Sequence, residues 1–95
     1  MPIKFYLFQN YPNPFNPSTK IKYDIPKEGN IKIKIYDLLG RELYSLNEYK
    51  IAGSYELRFD GSNYASGLYF YRIEARPVGS STGNFVEVKK MVLLK

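Results

Sequence analysis

The side chains of this chain that could do chemistry are hydroxyls and carboxylates. There is no Cys and no His, so the sequence lacks thiolate metal ligands and the commonest general base. Its nine acidic residues are scattered and suggest no catalytic pair. Oxygens of Asp60, Ser62 and Asn63 could bind calcium, but too few carboxylates accompany them for a tight site. We therefore expect no enzyme, no metal and no cofactor.

Aromatic side chains offer a second kind of chemistry, because flat exposed rings stack on sugars. The chain contains ten Tyr and six Phe. Three of the tyrosines, Tyr44, Tyr49 and Tyr64, do not follow the inward pattern of the predicted strands. An accessory module that binds carbohydrate or a structural partner therefore stays open as an alternative, although single exposed aromatics are common over a small core.

The net charge of +5 comes from lysines that alternate with isoleucines, as in residues 31–35. The simplest interpretation is a solvated strand face that resists aggregation at sheet edges. A surface for an anionic glycan or a nucleic acid is the alternative. No RNP-type motif or basic cluster supports the latter, so we expect no nucleic-acid partner.

The elements that must position these residues are β-strands, because apolar residues recur at period two and no helical period persists. The predicted strands cover residues 5–10, 19–25, 30–37, 41–49, 55–60 and 68–75, and a seventh begins at residue 86. Seven short strands in one domain of 95 residues indicate an all-β, immunoglobulin-like antiparallel sandwich. It has no disulfide, and the aromatic strand at 68–75 is expected to be central.

Two segments depart from a plain sandwich. Residues 11–18, the proline segment, hold three prolines and two asparagines in eight positions, so this stretch must be extended or turned and lie at a sheet edge. Residues 89–95, the terminal segment, begin with two lysines that break the alternation and continue as an apolar run. We expect a β-bulge at these lysines, and a terminus that either closes the sandwich or is read by a partner through strand addition or capture of the end.

The sequence contains neither a membrane-spanning stretch nor a secretory signal. No stretch approaches the ~20 apolar residues that span a membrane, and the first residues lack the apolar region of a secretory signal. Either the domain is cytoplasmic or its export signal lies upstream. Residues 1–4 are expected to be a linker remnant or an added start, and residues 1–95 a single domain. The small polar loop at residues 77–84 is expected to be the most mobile.

Four motifs carry a family resemblance, and they occur in order at residues 9–21, 36–42, 65–71 and 89–95. Together they resemble the type A C-terminal sorting domain of the type IX (Por) secretion system. The resemblance implies a non-catalytic signal that follows a cargo protein, is exported to the periplasm and reaches the cell surface. Its implied partners are outer-membrane translocation components, the upstream cargo and a sortase that removes the domain. The domain itself is not expected to span the membrane.

Matching residues of the family motifs provide the recognition candidates. These are Tyr11, Pro12, Asn13, Pro14, Gly67, Tyr69, Lys89, Lys90, Met91, Val92, Leu93, Leu94 and Lys95. Gly67 and Tyr69 also have a structural explanation, since they could simply start a strand and fill the core as a tyrosine-corner residue does.

Overall fold

A computed structural model of the chain describes residues 2–79 and 84–95, which form seven strands in two antiparallel sheets. The strands are β1 (Tyr6–Leu7), β2 (Ser18–Ile25), β3 (Gly29–Tyr36), β4 (Glu42–Lys50), β5 (Gly53–Asp60), β6 (Gly67–Pro77) and β7 (Phe85–Leu93). One sheet has the order β1-β2-β5 and the other β4-β3-β6-β7. The all-β immunoglobulin-like sandwich is confirmed, and the aromatic strand β6 is central as predicted.

The core lies between the inward faces of the two sheets. Alternation places Ile21, Tyr23 and Ile25 of β2 opposite the isoleucines of β3, and all of these side chains are buried. In β6 the inward residues are Tyr69, Tyr71, Ile73 and Ala75, as the pattern predicted. On β5, Phe59 is buried and Tyr55 and Leu57 are half-buried. Removal of this apolar area from water is the main source of stability.

The first strand is shorter than the predicted residues 5–10. Beyond Leu7 the chain stays beside β2 only through isolated bonds, from Phe8 N–H to the Lys22 carbonyl and between Tyr11 and Lys20. Three residue steps separate Phe8 from Tyr11, whereas two separate their partners. The extra residue breaks the ladder, as in a β-bulge.

The predicted bulge in β7 is wrong. Pairing with β6 continues without a shift from Gly67–Leu93 to Ala75–Phe85. Glu87 and Lys89 therefore take inward positions, 3.4 Å apart as an ion pair, while Val86 and Val88 face outward. Inward charges are tolerated because β7 lies at the sheet edge, where they reach solvent and discourage edge-to-edge pairing.

The mobile loop and the lack of a membrane-spanning stretch were also expected from the sequence. Residues 80–83 of the predicted loop at 77–84 lie outside the described residues. In the part of the chain that the structure describes, no helix is long and apolar enough to cross a membrane.

Gly29 is the glycine that the sheet packing most clearly requires. A Cβ added there would lie 2.3 Å from the Arg76 carbonyl oxygen, which belongs to the paired strand and cannot move freely. We predict that Gly29→Ala destabilises the domain by ~1–3 kcal/mol, as overpacking does, measured by urea denaturation. Ser45→Ala, at an exposed position of β4, is the control and should change stability by less than ~0.5 kcal/mol. Equal stability of the two variants would contradict this account.

Candidate functional site

The proline segment lies directly beside the terminal segment, although about eighty residues separate them in sequence. Phe15 N–H donates to the Val92 carbonyl at 2.8 Å, and Leu94 N–H donates to the Phe15 carbonyl at 2.9 Å. These bonds form a parallel bridge between Phe15 and Leu93. The first and the fourth motif are thus joined by backbone hydrogen bonds into one continuous surface.

Side chains extend this contact along the outer edge of β7. The Asn13 Oδ1 atom accepts a hydrogen bond from Val92 N–H at 3.0 Å, and the Gln9 amide donates to the Lys90 carbonyl at 2.7 Å. Backbone groups of Lys90, Val92 and Leu94 that would pair with an added strand are therefore engaged. A partner strand could pair here only after displacing the proline segment.

Phe15 anchors the proline segment in the core. Its side chain is buried, and its ring meets that of Phe59 edge-on at 6.1 Å between centroids. Gly61 lies so close that an added Cβ would be 3.0 Å from Leu93 and 3.2 Å from Phe15. The sequence analysis missed Phe15 as a site residue. Its signal was a single large apolar side chain between two Asn-Pro pairs.

A buried polar network holds the start of the proline segment. Tyr71 Oη accepts a hydrogen bond from Asn10 N–H and donates to the Phe8 carbonyl, each at 2.8 Å. Asn10 is 2% exposed, and its amide donates to Thr19 and to the Pro12 carbonyl. Among the described residues, no buried side-chain polar atom lacks a partner. Asn10 and Thr19 therefore fix the chain's path, and they too were missed by sequence reasoning.

The recognition candidates divide into exposed and buried residues. Met91, Leu93 and Tyr69 are core side chains. Half-buried positions are Lys89 and Val92. The exposed candidates are Tyr11, Pro12, Asn13, Pro14, Gly67, Lys90, Leu94 and Lys95. Tyr11 is 80% exposed and Leu94 54% exposed, so these two offer the most apolar surface to a partner.

Gly67 and Tyr69 line a groove of about 600 Å³ between residues 37–43 and 63–69. The Tyr69 hydroxyl donates to the Ala65 carbonyl four residues earlier, so this tyrosine ties down the loop that begins β6. Gly67 has φ of 155°, a conformation that other residues rarely adopt, and an added Cβ would meet nothing within 4 Å. Gly67 and Tyr69 thus have a structural role at the start of β6, and they also line the groove.

The opposite wall of the groove is the turn at Asp37. Its carboxylate accepts hydrogen bonds from Leu39 N–H, Arg41 N–H and the Arg41 guanidinium, and Gly40 has φ of 83°. Partial burial acts to raise the pKa of Asp37, but the bonds from Arg41 and Leu39 outweigh it and lower the pKa. Gly40 N–H also donates to the Asp37 carbonyl at 3.0 Å, which closes the turn.

All four motifs meet at one end of the sandwich. Tyr36, where β3 ends, pairs with Phe70 near the start of β6, and Gly67 pairs with Leu93 at the end of β7. The last residue is also tied there, since Lys95 N–H donates to Ser66 Oγ at 2.9 Å and its ammonium contacts the Ser62 carbonyl. We call this end the motif end.

The structure does not bring together the residues of the alternative sites, which were a carbohydrate platform and a calcium site. Tyr44 faces inward and pairs with Ile35, whereas Tyr49 faces outward and pairs with Asn30. Tyr64 lies in the loop after β5 and stacks on Phe59 of that strand. They form no common plane for a sugar. Asp60 accepts bonds from Ser62, and no group of metal-binding side chains occurs within residues 2–79 and 84–95.

The two antiparallel sheets and their packed core place the domain in the class of immunoglobulin-like sandwiches. The chain belongs to the family described as secretion system C-terminal sorting domain, whose family model matches residues 9–92. No curated protein matches it. Its fold is similar to part of a crystal structure of dimeric latent PorU from Porphyromonas gingivalis, with a TM-score of 0.70 and 25% identity. That likeness covers 93% of this chain and 9% of PorU.

Loss of the Tyr71 hydroxyl should destabilise the domain. Tyr71→Phe leaves the Asn10 N–H and the Phe8 carbonyl without their partner in a buried site, so we predict a loss of ~1–3 kcal/mol in the free energy of unfolding. Urea denaturation measures it. Tyr11→Phe removes the same atom from an exposed ring and should cost less than ~0.5 kcal/mol. Similar losses in both variants would be incompatible with the network described.

Stability should also fall at alkaline pH. Burial raises the pKa of Tyr23 and Tyr71 to about 12, whereas an unfolded tyrosine ionises near pH ~10. Because the unfolded chain loses these protons first, the stabilisation is complete below pH ~10 and is lost between about pH 10 and 12. Urea midpoints followed with tyrosinate absorbance across this window test it. Tyr23→Phe should make the decline shallower, and a flat midpoint would refute the assignment.

Proposed function

We propose that this domain is a non-catalytic sorting signal that directs an upstream cargo protein across the outer membrane through the type IX system. The observation that carries this proposal is the convergence of four sequence-distant motifs at one end of the sandwich. A signal must be read by another protein, and the motif end gathers backbone, apolar and charged groups into one contiguous surface. Family membership supports the proposed pathway, and the gathering of the motifs supports recognition at the motif end.

We further infer that the exposed part of the motif end contacts the translocation machinery. Tyr11 and Leu94 project from adjacent segments, and the groove beside Gly67 adds a concave surface. The buried candidates act indirectly, because Met91, Leu93 and Tyr69 hold these groups in place. Recognition then depends on the folded domain and on its exposed end together.

We infer the remaining steps from the resemblance of the motifs to this family. The cargo reaches the periplasm first, the domain is recognised at the outer membrane, and a sortase removes the domain as the cargo is attached at the cell surface. The scattered carboxylates and the lack of His and Cys agree with a domain that performs no chemistry itself. Neither Tyr44 nor Tyr49 provides an observation in favour of a carbohydrate-binding role.

An export assay tests the proposal with surface variants. Deletion of residues 89–95 alone would be ambiguous, because it also removes Met91 and Leu93 from the core. We therefore choose Tyr11→Ser with Leu94→Ser, fused behind a signal peptide and a fluorescent cargo in a host with the type IX machinery. Export should fall roughly tenfold or more, since the few residues that dominate an interface each cost over ~1 kcal/mol when they are truncated.

The matched control replaces one exposed aromatic and one exposed aliphatic residue at the opposite end. Tyr49→Ser with Ile51→Ser serves this purpose, since these side chains are 56% and 67% exposed. Both double variants should keep a cooperative thermal transition, and the control should export cargo normally. Normal export of the Tyr11 and Leu94 variant, or an equal defect in the control, would rule out recognition at the motif end.

A further inference from the structure

The charged side chains are distributed unequally between the two outer faces of the sandwich. On the four-stranded sheet, the outward positions carry five basic and two acidic residues. These are Lys32, Lys34, Arg72, Arg76 and Lys90 against Glu42 and Glu74. On the three-stranded sheet, the outward positions of β2 and β5 carry three of each. These are Lys20, Lys22 and Arg58 against Asp24, Glu56 and Asp60.

The other charges nearly cancel. Inward charges at the edges form the pairs Glu48–Lys50 and Glu87–Lys89, and turns hold the ion pair Asp37–Arg41 and the neighbours Lys27 and Glu28. Only Lys4 and Lys95 remain. Three of the five net positive charges of the chain therefore lie on the outward surface of the four-stranded sheet, which we call the basic face.

The basic face is broad and also carries apolar groups. Its cations are spread over the adjacent strands β3, β6 and β7, and Lys34 and Arg72 are direct cross-strand neighbours. Next to them Val86 and Val88 are 47% and 52% exposed, and Val88 pairs with Arg72. Glu74 lies within 3.6 Å of both Arg72 and Arg76, so one carboxylate is shared by two guanidinium groups.

We propose that the basic face associates peripherally with the anionic phosphate surface of a lipid membrane. An acidic peptide would need a groove or a free strand edge, whereas four of these five cations lie on β3 and β6, which have a neighbouring strand on both sides. A planar array of lipid phosphates matches dispersed cations, and the exposed valines between them can enter the interfacial region. Charge complementarity therefore favours a membrane surface as the partner, independently of how the motif end is read.

The excess of positive charge on the basic face sets the expected strength of membrane binding. Each cation near an anionic surface adds roughly a factor of five in partitioning, so an excess of three gives about a hundredfold preference over a neutral membrane. The two sheets of a sandwich are stacked about 10 Å apart. Charges on the far sheet thus lie beyond the Debye length of ~8 Å at physiological ionic strength and contribute little.

Vesicle co-sedimentation of the purified 95-residue chain tests the proposal. The chain should bind vesicles of equal parts phosphatidylglycerol and phosphatidylcholine, and should bind pure phosphatidylcholine about a hundredfold more weakly. Lys32→Gln with Arg76→Gln should weaken anionic binding roughly 20-fold, given a factor of about five for each cation. Lys22→Gln with Arg58→Gln removes the same charge from the balanced face and should weaken it less than about threefold.

Lys32 and Arg76 lie outside the four motif segments, so the result for this variant is separate from that of the export assay. Thermal melts of both variants should match that of the parent, because the substituted side chains are at the surface. Equal weakening by the two pairs would mean that net charge alone drives binding and would overturn the proposal. Retention on dextran sulfate without vesicle binding would assign the face to a soluble polyanion and overturn it as well.

Discussion

The pairing of the proline segment with the terminal segment is the interaction on which the rest of the structure depends. A Cys-free chain of 95 residues buries only ~60–65% of its unfolded surface, and it has no disulfide to close the fold. The N-terminal residues pair with β2 of one sheet at Tyr6 and Leu7, and with β7 of the other sheet at Phe15. This crossing joins the two sheets along one side and covers the edge of β7 over residues 90–94. Leu7 and Phe15 near the start of the chain and Leu93 near its end are thereby part of the core.

Local alternation could predict the strands, but not which strands would lie at an edge. Ile31, Ile33 and Ile35 are buried as the pattern indicated, because β3 has a neighbour on both sides. In β7 the prediction from alternation was wrong. Val86 and Val88 are apolar, as inward residues usually are, but they face outward, while Glu87 and Lys89 face inward. Register with β6 is set by the buried Met91 and Leu93, and edge position lets charged side chains escape the core. The register of β7 therefore depends on its pairing with β6, which the sequence of β7 alone does not specify.

The candidate site was predictable only as a set of segments. Family motifs marked stretches that the fold brings together, yet no local pattern could bring Phe15 next to Leu93 or Asn10 next to Tyr71, since these contacts join residues more than sixty positions apart. The motifs also combine two kinds of residue. Tyr69, Met91 and Leu93 are buried supports, whereas Tyr11 and Leu94 are exposed. Substitution of a motif residue therefore tests recognition only when its side chain is at the surface.

The motif end and the basic face have a fixed relation, because the same strands build both. β3, β6 and β7 present outward cations along their length and reach the motif end with Tyr36, Gly67 and Leu93. If the basic face lies against a membrane, its strands run along the membrane plane, and the motif end then points sideways within that plane. A receptor embedded in the membrane would meet this end laterally. Surface association would confine the search for such a receptor to two dimensions, while the proline segment and Leu94 stay free of the lipid and accessible.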